Sequence, residues 1–193
     1  MARVGVLALQ GDVREHVAVL ESLGARVVAV RRPHDLDGLD GLVVPGGEST
    51  AIAHLLTTSG IRPVLSDLLG DGLAVFGTCA GLILLSSEIL DGRSDQWSFA
   101  ALPLSVRRNG YGRQIASFET TVEVEGVGAV PGVFIRAPKI ESWSDELTVL
   151  AMHDHGDGDH PVLVRLGPVW GCSFHPELTS DQRVHRLFVE SLG

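Results

Sequence analysis

The sequence predicts an α/β fold of three layers, α/β/α, built on a mostly parallel open sheet with antiparallel strands at one side. Two observations carry this prediction. Apolar strand-like runs alternate with helix-like runs from residue 3 to residue 85, which is the rhythm of βαβ units. From about Leu102 the pattern changes to shorter strands, which favours antiparallel pairing. Ligands of such sheets gather at the carboxyl ends of the parallel strands, so residues at those ends are the first candidates for function.

The first half of the chain supplies the predicted parallel strands and their helices. Arg3–Leu9 is typical of a buried strand. Asp12 is predicted to cap a helix over Val13–Leu23, because Glu15 follows it by three residues. Gly24 is predicted to end that helix. The other predicted elements of this half are the strands Arg26–Val30, Gly41–Val44 and Leu73–Phe76, a helix from a cap at Ser49 or Thr50 through Leu56, and a helix over Ile61–Leu69.

The second half is predicted to contain six strands and a final helix. The helix runs from about Asp181 to Leu192, with Thr179 or Ser180 as its cap. No internal repeat, low-complexity tract or linker interrupts the sequence, so we expect residues 1–193 to form one domain. The predicted strands are Leu102–Arg107, Phe118–Val124, Val133–Arg136, Leu147–Met152, Pro161–Leu166 and Val169–Phe174.

Composition narrows the class of protein. The 193 residues are 45% hydrophobic and 20% charged, as in globular proteins, and their net charge of −9 disfavours a nucleic-acid-binding surface. Two cysteines are too few for a disulfide framework. The apolar stretch Val4–Leu9 is much shorter than a membrane span, and charged Asp12 and Arg14 follow it. We therefore expect a cytoplasmic protein with neither an export signal nor a membrane segment.

The turn Gly77-Thr78-Cys79-Ala80-Gly81 indicates a cysteine nucleophile. It lies between the strand-like run Leu73–Phe76 and the helix-like run Leu82–Leu85. A cysteine on such a turn is exposed at the sheet edge, where unpaired N–H groups at the helix N-terminus favour its thiolate. Gly77 and Gly81 bracket it as glycines bracket the serine of a Gly-x-Ser-x-Gly elbow, where larger side chains would block the sharp turn.

The second cysteine, Cys172, lies in the apolar run Val169–Phe174 and is predicted to be a small core residue. A disulfide between Cys79 and Cys172 is open on the sequence alone. It would disable the predicted nucleophile.

A base and its orienting partner are predicted near the C-terminus, in His175-Pro176-Glu177. A thiol nucleophile needs a base, and the base needs a group that holds its imidazole. His175 and Glu177 suit these roles, because residues two apart on an extended segment face the same side. Pro176 favours an extended backbone at His175. Cys79, His175 and Glu177 are thus a predicted catalytic triad.

Six motifs occur in order along the chain: Leu9-Gln10-Gly11, Pro45-Gly46-Gly47-Glu48-Ser49-Thr50, Gly77-Thr78-Cys79-Ala80-Gly81, Arg108-Asn109-x-x-Gly112-Arg113-Gln114, Phe134-Ile135-Arg136-Ala137-Pro138 and Ser173-Phe174-His175-Pro176-Glu177-Leu178-Thr179. Together they resemble the glutaminase subunits of pyridoxal 5′-phosphate synthase, within the class I (triad) glutamine amidotransferases. The cysteine elbow and His-Pro-Glu indicate only the wider class, and the other motifs narrow it to this family. The resemblance covers essentially the whole chain and implies a flavodoxin-like sheet.

The resemblance implies hydrolysis of L-glutamine to L-glutamate and ammonia, with neither a cofactor nor a metal. Ammonia would pass to a separate synthase subunit, which builds pyridoxal 5′-phosphate from a pentose phosphate and a triose phosphate. It also implies a large hetero-oligomer in which glutaminases decorate a core of synthase subunits.

The resemblance assigns roles residue by residue. Cys79 attacks the side-chain amide carbon, His175 accepts and donates a proton, and Glu177 orients His175. The backbone N–H groups of Gly47 and Ala80 are the expected oxyanion donors. The residues implied to bind glutamine are Gly47, Glu48, Ser49, Arg108, Ile135 and Arg136.

Some of these assignments have alternatives. Glu48 and Arg136 are also the types of residue that form structural ion pairs. Gln10 is expected to line the oxyanion region or to contact the partner, and a simple turn role is equally open.

Two segments depart from the family pattern or stand outside it. Residues 95–107 differ from the more glycine- and aspartate-bearing segment usual in relatives, and Arg107 stands where an acidic residue commonly precedes Arg108. This puts the local surface and a partner contact in doubt. Residues 153–160, rich in His and Asp, are predicted to form a solvated hairpin loop, and a transition-metal site is the alternative.

Two other functions remain open on the sequence. One is a class I glutaminase that serves another synthase, such as one for histidine or purine nucleotides. The other is a non-catalytic regulatory or binding module on the same sheet, because fold alone does not fix function. The intact Cys79, His175 and Glu177 argue against the second.

Overall fold

A computed structural model describes residues 1–110 and 117–193. Its strands, in chain order, are β1 (Arg3–Leu7), β2 (Arg26–Val30), β3 (Gly41–Val44), β4 (Ala74–Thr78), β5 (Ser86–Ile89), β6 (Leu102–Arg107), β7 (Ser117–Val124), β8 (Gly128–Ile135), β9 (Lys139–Trp143), β10 (Thr148–Asp154), β11 (Asp159–Leu166) and β12 (Val169–Cys172).

The main sheet has nine strands in the order β2-β1-β3-β4-β12-β11-β10-β7-β8. The first five strands of this order pair in parallel, and each of the remaining pairings is antiparallel. The predicted mostly parallel sheet with antiparallel strands at one side is therefore confirmed. The carboxyl ends of β1, β3, β4 and β12 lie side by side at one edge.

Two strands predicted for the antiparallel side lie elsewhere. The strand at Val169 pairs in parallel with β4 and antiparallel with β11, so it joins the two halves of the sheet. Leu102–Arg107 belongs to a separate three-stranded sheet, β5-β6-β9. Neither β5 nor β9 was predicted, because both are short and flank irregular chain.

Helices cover both faces of the main sheet. They are α1 (Val13–Ser22), α2 (Ser49–Thr58), α3 (Ile61–Gly70), α4 (Ala80–Leu85) and α5 (Arg183–Glu190). Core residues of α1 and α5 pack together on one face, and core residues of α2, α3 and α4 pack on the other. Within β3, Val43 faces the first of these layers and Leu42 and Val44 face the second, as alternation along a strand requires. The three-layer prediction is thus confirmed. None of the helices in the described part of the chain has the length and apolar character that a membrane crossing requires.

Two predicted helix caps are wrong, and a third is right in position but makes no capping hydrogen bond. Asp12 occupies the N-cap of α1, but its side chain makes no capping hydrogen bond. Glu48, and not Ser49 or Thr50, caps α2, because its carboxylate accepts hydrogen bonds from the N–H groups of Thr50 and Ala51. The last helix begins later than predicted, with Gln182 at its N-cap. Thr179 instead accepts a hydrogen bond from the N–H of Asp181 in the preceding turn.

Candidate active site

Cys79 sits on a sharp turn between β4, which ends at Thr78, and α4, which begins at Ala80. Its backbone has φ 48° and ψ −104°, a conformation that side chains rarely adopt and that costs about 1–3 kcal/mol. Two glycines make the turn sterically feasible. A Cβ on Gly77 would lie 2.6 Å from the carbonyl carbon of Gly81, and a Cβ on Gly81 would overlap the carbonyl oxygen of Val44. The predicted elbow is therefore present, although its helix has only six residues.

His175 lies between Cys79 and Glu177. Its Nδ1 is 2.7 Å from Glu177 Oε1. The ring and Cys79 line the same cavity, and the nearby sulfur is one of the groups that raise the pKa of His175, while the thiol itself contacts the Ile135 carbonyl oxygen at 3.8 Å. Since Nδ1 is engaged by the carboxylate, Nε2 is the nitrogen available to the sulfur. The extended segment predicted here is wrong: residues Pro176–Leu178 form a 3₁₀ turn, which folds Glu177 back onto the ring. The three predicted residues nevertheless come together.

Within the predicted triad, His175 and Glu177 form a buried ion pair. Burial is the largest single influence on the pKa of His175 and lowers it, but hydrogen bonds to Asp12, Cys79 and Glu177 outweigh burial and raise the pKa to about 12. The imidazole is therefore protonated at neutral pH. Burial raises the pKa of Glu177, and its hydrogen bond to His175 partly offsets that change.

Asp12 is a second carboxylate at the imidazole. Its Oδ2 lies 3.4 Å from His175 Nδ1, and its side chain is partly exposed to the pocket. The sequence prediction placed it in a helix cap and missed this contact. A signal was available, because Asp12 follows β1 by five residues and the carboxyl ends of the parallel strands share one edge.

The donor atoms of Asp12, His175 and Glu177 lie within 4.8 Å of one another, a spacing that a metal ion can bridge. A metal ligand must be deprotonated, and the raised pKa of His175 opposes that.

The chain before α2 packs tightly against the loop after β1. The carbonyl oxygen of Gly46 accepts a hydrogen bond from the N–H of Asp12 at 3.2 Å. Because the 46–47 peptide is trans, the N–H of Gly47 points away from that loop. Gln10 Oε1 accepts from the N–H of Glu48 at 2.9 Å, so Gln10 braces the backbone beside Gly47. Ala80 is the first residue of α4, so its N–H has no acceptor within the helix.

A cavity of about 440 Å³ opens over the thiol, a size that suits a small-molecule ligand. It brings together Cys79, His175 and each predicted glutamine-binding residue, while Glu177 and Ala80 are buried behind its surface. Its lining residues are Asp12, Gly47, Glu48, Ser49, Cys79, Ile83, Arg108, Asn109, Ile135, Arg136, His175 and Leu178.

The polar wall of this cavity is a network around Arg108. Its guanidinium contacts Glu48 Oε1 at 2.9 Å and Gln96 Oε1 at 3.1 Å, and Gln96 Nε2 donates to Ser49 Oγ at 3.0 Å. Hydrogen bonds from Thr50 and Ala51 hold the Glu48 carboxylate and outweigh the effect of burial, so the pKa of Glu48 is lowered. Glu48 therefore does form a structural ion pair, whereas no ion pair joins Arg136 to another described residue.

Sequence reasoning missed Gln96. It lies in the irregular stretch between β5 and β6, where neither periodicity nor a turn signal fixes the position of a side chain.

The remaining sequence predictions have mixed outcomes. Both cysteines are free thiols, and Cys172 is fully buried in the core, where burial raises its pKa well above the usual value. The His- and Asp-rich segment is a hairpin, with His153 paired to His160 and Asp154 to Asp159. Gly112, Arg113 and Gln114 of the fourth motif lie outside the described residues.

The arrangement is suited to acyl transfer. A thiolate beside a protonated imidazole can attack a carbonyl carbon, and the imidazolium can protonate a nitrogen leaving group. Backbone N–H groups near the thiol can hold the oxyanion that forms between these steps.

Comparisons with known proteins agree with this chemistry. A model of the SNO glutamine amidotransferase family matches residues 6–193. Pyridoxal 5′-phosphate synthase subunit PdxT of Mycobacteroides abscessus is 52% identical over 188 residues, covering 97% of this chain and 95% of the relative. The subunit of the same name from a Parafrankia species is 54% identical over 190 residues, covering 97% and 92%.

Solved structures are also similar to this chain. A crystal structure of a glutamine amidotransferase superposes with a TM-score of 0.91 at 50% identity, covering 98% of each chain. PurLQS from Thermotoga maritima has a TM-score of 0.70 at 16% identity and covers 100% of both chains, a likeness that shows the fold alone.

The elbow makes a prediction about stability. We expect Gly81→Ala to lower the free energy of unfolding by about 1–3 kcal/mol, because the new methyl group would strike backbone in β3. Gly70→Ala is the matched control: it ends α3 with no atom within 4 Å of the new Cβ, so its unfolding free energy should stay within about 1 kcal/mol of the parent. Urea unfolding followed by circular dichroism measures both. Equal effects of the two substitutions would contradict the steric argument.

Proposed function

The chain belongs to the SNO glutamine amidotransferase family, and from that premise we propose that Cys79, His175 and Glu177 are its catalytic triad. It is the glutaminase subunit of a pyridoxal 5′-phosphate synthase and hydrolyses L-glutamine to L-glutamate and ammonia. The observation that carries the triad is the position of His175, which hydrogen-bonds the carboxylate of Glu177 and lines the same pocket as Cys79.

In the first half-reaction, the Cys79 sulfur, as a thiolate paired with the His175 imidazolium, attacks the side-chain amide carbon of glutamine. Negative charge moves onto the amide oxygen, and the N–H groups of Gly47 and Ala80 stabilise it. One such donor is worth roughly 100- to 1000-fold in rate. The His175 imidazolium then gives its proton to the amide nitrogen, the C–N bond breaks, and ammonia leaves a glutamyl thioester.

In the second half-reaction, neutral His175 takes a proton from water as the water attacks the thioester carbon. The C–S bond breaks, glutamate leaves, and the thiolate–imidazolium pair is restored. Glu177 stabilises the imidazolium in both halves and holds Nδ1, so that Nε2 stays directed at the sulfur.

Glutamine is held by the polar wall of the cavity. We assign its α-carboxylate to the guanidinium groups of Arg108 and Arg136, both of which line the cavity. Glu48, fixed beside Arg108, supplies negative charge for the α-ammonium group. Ser49 and the backbone of Ile135 complete the lining, and Cys79 Sγ lies 3.8 Å from the Ile135 carbonyl oxygen. Gln10 acts indirectly, because it supports the Gly47–Glu48 backbone.

The partner is the synthase subunit, which receives the ammonia. We propose a large hetero-oligomer in which glutaminases decorate a synthase core. We place it in the cytoplasm, because a free catalytic thiol is best kept reduced there. Ile135 and Leu178, two of the exposed apolar side chains, lie at the cavity and offer contact surface beside it.

Cys79→Ala should lower glutamine hydrolysis by about 10⁴-fold or more, because no other group can form the thioester. Folding and binding of the synthase subunit should be retained. Ammonia release in the presence of the synthase subunit measures the effect. Cys172→Ala is the control and should keep most of the activity, since Cys172 is a core residue. Retained turnover in Cys79→Ala would rule out the nucleophilic role.

Glutaminase activity of the isolated chain should be low and should rise roughly 10- to 1000-fold when the synthase subunit is added. Gly47 has φ 152°, so the 46–47 peptide has the freedom to bring one oxyanion donor in or out of position. A titration of the synthase subunit against a fixed glutaminase concentration measures the rise. High turnover that is independent of the partner would contradict such gating.

A further inference from the structure

Behind the triad, on the side away from the cavity, lies a chain of fully buried polar side chains. His16 of α1 lies between Glu177 and His185 of α5, and neither histidine is exposed to solvent. His16 Nδ1 is 2.9 Å from His185 Nε2. His16 Nε2 is 3.1 Å from Thr78 Oγ1 and 3.5 Å from Glu177 Oε2. The mechanism described above uses neither histidine.

Glu177 has an oxygen that the triad does not use. Its Oε1 accepts from His175, whereas Oε2 makes no hydrogen bond within the described part of the chain. A buried carboxylate oxygen without a donor is costly, and the cost falls on the ionised form that the imidazolium needs. The nitrogen that faces Oε2 is His16 Nε2.

The two orphaned atoms, Glu177 Oε2 and His185 Nδ1, favour one tautomer of His16. If Nδ1 carried the proton and donated to His185 Nε2, then His185 Nδ1 would be a buried N–H without an acceptor. His16 Nε2 would also turn a lone pair toward the carboxylate. If Nε2 carries the proton, His185 Nε2–H donates to His16 Nδ1, and the unpaired His185 Nδ1 is only a lone pair. The second arrangement leaves no buried imidazole N–H without an acceptor and aims an N–H at Glu177 and Thr78, and Thr78 Oγ1 then accepts from His16 and does not donate to it.

Building on the proposed triad, we propose that His16 is a positioning residue of the glutaminase reaction. As the neutral Nε2–H tautomer fixed by His185, it directs its N–H at Glu177 Oε2, 3.5 Å away, and so stabilises the ionised carboxylate in the orientation that serves His175. The catalytic relay therefore extends from Cys79 through His175 and Glu177 to His16 and His185.

The surroundings of His16 favour this neutral form. Burial, followed by the nearby His185 and His175, lowers the pKa of His16 well below its usual value, and burial lowers the pKa of His185 to about 4. The groups that face His16 are Thr78 from β4, His185 from α5, and His175 and Glu177 from the segment at the 3₁₀ turn. His185 is itself fixed by packing, with Phe76 edge-on at 5.7 Å.

Two substitutions separate positioning from packing. His16→Leu removes the donor, and His16→Gln keeps an N–H at the place of Nε2; neither side chain can replace the ring as a partner of His185 in the same geometry. With the synthase subunit present, we expect His16→Leu to lower kcat by about 10- to 100-fold with KM within about twofold, as loss of an outer-shell hydrogen bond typically does. His16→Gln should stay within about fivefold of the parent.

The pH profile gives a readout that a purely structural role would not move. Without the donor, the pKa of Glu177 should rise further, so the acidic limb of kcat/KM should shift to higher pH in His16→Leu and shift back in His16→Gln. The inference is overturned if His16→Leu keeps kcat within twofold, or if both variants lose activity equally with an unchanged profile. If Cys79→Ala also stays active, the proposed function itself fails, and the two failures are thus distinguishable.

A measurement on the parent protein covers the case in which His16→Leu does not fold. Nitrogen-15 NMR of the histidine rings assigns the tautomer directly. A neutral Nε2–H ring at His16 is expected. An Nδ1–H or doubly protonated ring would overturn the inference.

Discussion

The site depends on the close approach of four backbone segments at one edge of the sheet. β1, β3, β4 and β12 are neighbours, and each delivers one part of the site just beyond its carboxyl end. Glycines allow the contacts: a Cβ on Gly46 would lie 2.5 Å from His175 Cε1, and a Cβ on Gly11 would overlap the Gly46 carbonyl. Any side chain at these positions would separate the imidazole from the turn that carries Cys79. The geometry of catalysis is therefore fixed by backbone packing before any polar contact forms.

Charge is then arranged around one buried imidazole. Glu177 and Asp12 both face Nδ1 of His175, and their interactions with the ring, together with that of the Cys79 sulfur, outweigh the cost of burying a cation. Asp12 is partly exposed, whereas Glu177 is buried and needs support from the protein interior. The neutral His16 supplies that support without adding charge. The cavity contains a separate ion pair, between Arg108 and Glu48, which is not part of the group of charges around His175.

Sequence reasoning reached the parallel sheet, the cysteine elbow and the grouping of Cys79 with His175 and Glu177, because each has a local signature: alternating apolar runs, a glycine bracket, and a histidine two residues from a carboxylate. It failed where position depends on tertiary contacts. Asp12 looked like a helix cap, and only the folding of the loop after β1 over the edge of the sheet brings it to His175. Gln96 lies in irregular chain. His16 and His185 lie 169 residues apart in the sequence. Each occupies an ordinary apolar face of its helix, and no local pattern pairs them.

The most direct test of the central claim is covalent trapping by 6-diazo-5-oxo-L-norleucine, a diazoketone analogue of glutamine. The protein, together with its synthase subunit, is treated with the analogue, digested and analysed by mass spectrometry. The account predicts a single adduct on Cys79, suppressed by excess glutamine, with the buried Cys172 unmodified. An adduct on Cys172, or loss of activity without any adduct on Cys79, would contradict it.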